Sequence, residues 1–118
     1  MIISVTNLNH AHRFFTEILD ARPYEHGGHF SHVIWGEHDI ILQLAPSSQR
    51  RHSLIISDSL KSRVIKMLTS AQHPYVMKDF NTGPISYQLI FSIEENCECE
   101  LLVYRKCDLF LSASGMGI

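Results

Sequence analysis

The sequence predicts an α+β fold in which one βαβββ pattern is written twice. Two stripes of apolar residues recur at helical spacing, and three short strand-like runs follow each of them. The halves also superpose at an offset of 51 residues, which sets Val5-Thr6-Asn7 on Ile56-Ser57-Asp58 and Pro23-Tyr24 on Pro74-Tyr75. Two copies of so long a pattern are too few for a solenoid and suit one domain with an internal pseudo-twofold. The size agrees, since 118 residues with 45% apolar and 19% charged side chains make one ordinary globular domain.

Ile2 to Val5 is a β-branched run and reads as a strand. Asn7 offers an N-cap, and Leu8, Ala11, Phe14, Phe15, Ile18 and Leu19 share one helical face until Pro23 stops the helix. Strands are expected around Tyr24, from Phe30 to Trp35 and from Ile40 to Leu44, with turns at Gly27-Gly28 and at Gly36-Glu37-His38-Asp39. The polar stretch PSSQRR is a connector. The second cycle opens with a strand at Leu54 to Ile56 and an N-cap at Asp58. Its helical stripe runs through Leu60, Val64, Met67, Leu68 and Ala71 and stops at Pro74. Strands at Tyr75 to Met77, Tyr87 to Ile93 and Cys99 to Tyr104 complete it. The single domain 1–118 thus divides into module one at about 1–46, module two at about 52–105 and a tail at 106–118.

Charge and composition narrow the function. Ten Lys and Arg against twelve Asp and Glu leave a net charge of −2, which argues against a nucleic-acid partner. No apolar run approaches the roughly 18 residues of a membrane span, and the opening lacks the marks of a secretion signal. Cys97, Cys99 and Cys107 are odd in number and clustered, as expected of reduced thiols in a cytoplasmic protein. Eight histidines bring metal and proton chemistry into consideration. His10 and His12 point about 200° apart on a helix, and His29 and His32 have opposite parity on one strand, so neither pair chelates as it stands.

Four stretches stand in a telling order: VTNLNHAHRFFTEILDARPY, HVIWGEHDIILQLAP, RRHSLIISD and FSIEENCECELLVY. The first is similar to an opening strand, a polar-Asp/Asn-Leu turn and a helix ending in Phe-aromatic and Leu-Gly, with Asp20 in place of the Gly. The last is similar to a closing hairpin written F-x-D-P-x-G-N-x-I-E-L, with Ile93-Glu94-Glu95-Asn96 in place of Asp-Pro-x-Gly. In this order and spacing, over residues 2–104, the chain resembles the vicinal oxygen chelate superfamily of glyoxalase I, bleomycin-resistance proteins, extradiol dioxygenases and fosfomycin-resistance enzymes. The resemblance implies two modules whose strands curl into a mixed-sheet cup with the helices outside. It also implies a small-molecule ligand in the cup and a homodimer.

Site residues follow from the same resemblance. Metal-dependent members hold one divalent ion; His52 matches their fifth-strand histidine, Glu100 the carboxylate of the last strand, and Gln43 a glutamate of the fourth. Imidazole and carboxylate suit Mn, Fe, Co, Ni or Zn. The ligand expected at or before Met1 has no counterpart, because a thioether is a poor donor to such an ion and Ile2 is none at all. Alternation sets Glu98, Glu100, Leu102 and Tyr104 on one face of the last strand and Cys97, Cys99, Leu101 and Val103 on the other. With Glu100 in the cup, Glu98 stands there as a catalytic proton shuttle, and the cysteines pack as small apolar residues. Trp35, Tyr87 and Tyr104 are candidates to stack against a ligand. Two functions compete. One is a small-molecule-binding protein without a cofactor, holding an aromatic or cationic ligand in a dimer-associated cup. The other is a divalent-metal lyase, isomerase, dioxygenase or thiol transferase acting on a vicinal-oxygen substrate. The incomplete ligand set favours the first.

Overall fold

The computed structural model describes residues 1–47 and 51–105. Connector residues 48–50 and the tail 106–118, which holds Cys107, lie outside the described residues. Strand β1 (Ile2–Val5) leads into helix α1 (Leu8–Arg13), where the Asn7 side chain accepts the His10 N–H at 3.1 Å. The helix widens into a π turn over Phe14–Ile18, closed by the Leu19 N–H donating to the Phe14 carbonyl. It then stops at Asp20, whose φ of 56° is left-handed. Pro23 therefore does not end the helix; it lies inside β2 (Arg22–His26), an edge strand that tolerates a proline. A short polar side chain admits the left-handed backbone at Asp20, where the resemblance has a glycine.

Strands β3 (Phe30–Trp35) and β4 (His38–Leu44) complete a sheet ordered β1-β4-β3-β2, with β1 parallel to β4 and the other pairs antiparallel. The second half repeats the plan. It consists of β5 (Arg51–Ile55), α2 (Asp58–Ser70), β6 (Tyr75–Asp79), β7 (Ile85–Glu94) and β8 (Cys97–Tyr104), in the order β5-β8-β7-β6. The cap of α2 is Ser57, not Asp58: Ser57 Oγ accepts the Leu60 N–H, and Asp58 in the first turn pairs with Lys61 at 3.0 Å.

One face of each sheet is covered. Residues Val33 and Trp35 of β3, Leu101 and Val103 of β8, and Leu60, Val64 and Leu68 of α2 belong to a single apolar cluster that runs through both halves. Phe14 crosses between them, its ring centre 5.8 Å from Phe91 and 4.8 Å from His73. Leu60 packs onto the β3–β4 turn, where a Cβ on Gly36 would lie 3.4 Å from its methyl; Gly36 also has a positive φ. At the entry to α1, the Glu94 carboxylate from the end of β7 accepts the Thr6 N–H, the Thr6 hydroxyl and the Asn7 N–H over 2.7–3.2 Å. The halves thus form one curled-sheet α+β unit of 53 × 28 × 24 Å, and the second face of each sheet remains uncovered. Among the described residues, no helix is long and apolar enough to cross a membrane.

Candidate functional site

The register between β5 and β8 decides which side chains share the uncovered face of the second sheet. Arg51 lies opposite Glu98 and Ser53 opposite Glu100, while His52 lies opposite Cys99 and Leu54 opposite Leu101. The odd-numbered residues of β8 are buried and its even-numbered ones are not, so Arg51, Ser53, Glu98 and Glu100 stand together on the uncovered side.

Glu100 is the centre of this group. Ser53 Oγ donates to its Oε1 at 2.6 Å, Gln88 Nε2 donates to its Oε2, and an Arg51 guanidinium nitrogen lies 3.8 Å away. The Ser53 hydrogen bond, then those from Gln88 and Arg51, outweigh partial burial and hold the carboxyl below its ordinary value of 4.5. Glu100 is therefore ionised and oriented near neutral pH. Glu98 accepts two N–H groups of Arg51, the shorter at 3.0 Å. A cleft of about 520 Å³ opens beside this pair and is lined by Arg51, Ser92, Asn96 and Glu98. A larger cleft of about 640 Å³ follows the outer side of α1, but its charged pair, Arg13 and Glu17, is solvent-exposed.

The other expected residues sit elsewhere. His52 does not join Glu100: it points to the covered side, is 7% exposed, and its Nε2 has no hydrogen-bond partner. Burial lowers its pKa, as befits an imidazole kept neutral in the core. Trp35 and Tyr87 do not line an open cup either. Trp35 meets Phe15 edge-on at 5.7 Å inside the core. Tyr87 is also covered; its hydroxyl donates to Met77 Sδ, and the Lys61 ammonium lies 4.3 Å above its ring. Only Tyr104 of the three aromatics is on the uncovered side, 36% exposed. Gln43 is exposed on the first sheet, opposite Ser4. Burial, followed by the nearby Glu94, pushes the Cys97 thiol up to about 11, and burial raises Cys99 further, so both stay protonated and neither is a thiolate ligand.

These placements test the expected metal. Of the implied donors, His52 and Glu100 lie on opposite sides of the second sheet and Gln43 lies on the first, and among the described residues no three His, Cys, Asp or Glu side chains converge to hold an ion. The donor set does not fit a single divalent metal within this chain. Ser53 and Gln88, which converge on Glu100 with Arg51, are not singled out by the sequence reading. Their signal is alternation: once Leu89 and Phe91 are assigned to the core, Gln88 faces the same way as Glu100.

No protein-family model matches the chain, and no curated protein matches it in sequence. Solved structures do match in fold. A glyoxylase/bleomycin resistance protein/dioxygenase domain from Frankia sp. EAN1pec superposes with a TM-score of 0.67 at 19% identity, covering 89% of this chain and 94% of that one. Lactoylglutathione lyase from Agrobacterium tumefaciens gives 0.67 at 10% identity, with 87% and 90% covered. The genomically encoded fosfomycin resistance protein FosX from Listeria monocytogenes gives 0.64 at 15% identity, with 87% and 88% covered. With two modules on one plan and these likenesses, the chain has the fold of the glyoxalase/bleomycin-resistance/dioxygenase structures.

Proposed function

We propose that this chain is a small-molecule-binding protein of the glyoxalase/bleomycin-resistance type, holding an organic ligand on the uncovered face of its second sheet without a metal cofactor. The observation that carries this reading is Glu100, an ionised carboxylate held by Ser53 and Gln88 beside Arg51 on that face. A group fixed before binding loses little freedom when a ligand arrives. Arg51, Glu98 and Glu100 together carry one net negative charge, so the complementary ligand bears an ammonium or other N–H donor. Tyr104 offers that ligand an aromatic surface.

A second copy of the chain closes the cup. Ile2, Phe30, Ile55 and Val76 stand exposed on the uncovered faces, and a partner laid over them removes this apolar area from water. The buried, protonated thiols suit a reducing compartment, hence action in the cytoplasm. Against the metal-dependent alternative stands the placement of His52 and Glu100, which face opposite ways.

A panel of aromatic amines, followed by thermal shift and amide NMR, tests the reading. A ligand at a hundredfold excess over its Kd stabilises the protein by about 2.7 kcal/mol. Glu100→Gln is expected to weaken binding about tenfold or more, and sedimentation is expected to give a dimer. Equal binding by parent and variant would overturn the assignment of the site, and a monomer with ligand bound would remove the second copy. Trp35 fluorescence is a poor reporter, because the indole is in the core.

A further inference from the structure

We propose that the cleft of about 520 Å³ beside Glu98 is a subsite for the hydroxyl groups of a sugar, so that the ligand is an amino sugar carrying an apolar aglycone. This subsite rests on the reading of Glu100 as the group that receives an ammonium, and it adds a second point of recognition on the same face.

Strand register lays that face out in rows. Ser92, Glu98 and Arg51 lie across the first row, with Asn96 in the turn beyond it. In the second row Glu100 lies between Ile90 and Ser53. In the third, Leu102 has the exposed Ile55 beside it, and Tyr104 stands at the far end. The face thus passes from polar to apolar along β8, with the fixed carboxylate between the two ends.

The first row selects hydroxyl groups by its balance of donors and acceptors. Glu98 Oε1 accepts both N–H groups of Arg51, at 3.0 and 3.3 Å, which leaves Oε2 open to a ligand. Among the described residues, the Ser92 hydroxyl and the Asn96 amide are bonded to no protein group. Arg51 and Glu98 cancel in charge, so an anion in the cleft meets a carboxylate and a second ammonium meets a guanidinium. A hydroxyl both donates and accepts, and neighbouring hydroxyls satisfy the carboxylate oxygen, the guanidinium and the amide together.

Spacing along β8 sets the rest of the ligand. Glu98 and Glu100 are two residues apart, or about 7 Å, so the hydroxyl groups and the amine belong to one ring. Tyr104 lies about 13 Å beyond Glu100, past Leu102, so the ring continues into an apolar chain that ends in an aromatic group.

The test uses three probes on the full chain: phenylbutyl glucosaminide, phenylbutyl glucoside and phenylbutylamine, titrated by calorimetry and followed by amide NMR. The glucosaminide is expected to bind about tenfold or more tightly than either of the others, and to shift the Ser92 and Asn96 signals where phenylbutylamine does not. Ser92→Ala combined with Asn96→Gly removes both neutral groups, and glycine keeps the left-handed turn at φ 62°, so the melting curve should match that of the parent. Selectivity for the glucosaminide over phenylbutylamine should fall about tenfold in this variant. Glu100→Gln should weaken both amines. Equal affinity of the parent for the two amines, or unchanged selectivity in the double variant, would overturn the sugar subsite and leave the role of Glu100 standing. Amine binding undiminished by Glu100→Gln, a glucoside held as tightly as the glucosaminide, or no binding of any probe would overturn that role and the subsite with it.

Discussion

On the first sheet, Ser4 of β1 lies opposite Gln43 of β4; on the second, Ser53 of β5 lies opposite Glu100 of β8. The strands pair in parallel in both places, so the fold offers the same position twice with a different occupant. The amide in the first sheet has Ile2 and Ile41 on the same face. The carboxylate in the second gathers a serine hydroxyl, a glutamine amide and an arginine. An ionised group held by hydrogen-bonding neighbours is able to attract a charged partner, whereas a neutral amide offers no charge of its own. Function in this architecture belongs to the occupant of a position more than to the fold that repeats it.

This contrast assumes that the two sheets are faces of one cooperative unit, and the shared core is where that assumption breaks most visibly. Phe14→Ala removes the ring that touches both Phe91 and His73, and is expected to cost about 3–5 kcal/mol. Denaturant melts read by circular dichroism and by amide exchange in β7 should lose stability together. A loss confined to the first sheet would show two separate units.

The Glu94 link is a smaller lever. Glu94→Ala leaves the donors of Thr6 and Asn7 at the entry to α1 without that carboxylate, and is expected to cost about 1–2 kcal/mol, in the range of a lost helix cap. The Thr6 and Asn7 amide signals should shift and exchange faster with solvent. Unchanged signals would remove Glu94 as the tie between the halves.

The smallest effect separates the two sides of the second sheet. Burial holds His52 below its ordinary value of 6.5, so the unfolded chain binds that proton more readily than the native one. The stability tied to a neutral His52 is therefore complete above about pH 6.5 and declines as the pH falls below it. His52→Leu deletes a buried nitrogen without a partner and should lie within about 1 kcal/mol of the parent near neutrality. It should also lose less stability than the parent on going to about pH 5, as read from urea midpoints. Parallel pH curves for the two proteins would place His52 in contact with water.

Much of this was legible in the chain. The alternation of β8 is that of its sequence, with both cysteines inward and Glu98, Glu100 and Tyr104 outward. Asn96 takes the left-handed turn that its side chain admits, at φ 62°. Helix ends were harder to place. A proline is a strong local stop, but the π turn and Asp20 act first and leave Pro23 free to enter an edge strand. At the second helix, Ser57 and Asp58 are both good caps, and the choice rests on which side chain reaches the Leu60 amide.

The sequence by itself determined the two βαβββ cycles, the faces of the last strand and the chemical types available for a site, because these depend on local periodicity and side-chain character. Only the tertiary structure decided which residues meet. Strand alternation has a period of two, so a one-residue difference in assigning β5 moves its whole set of side chains to the other face. That step places Ser53 beside Glu100 and buries His52 beside Cys99. Partners so distant in the chain are set by packing the strand's apolar side chains against the shared core, which no local pattern encodes.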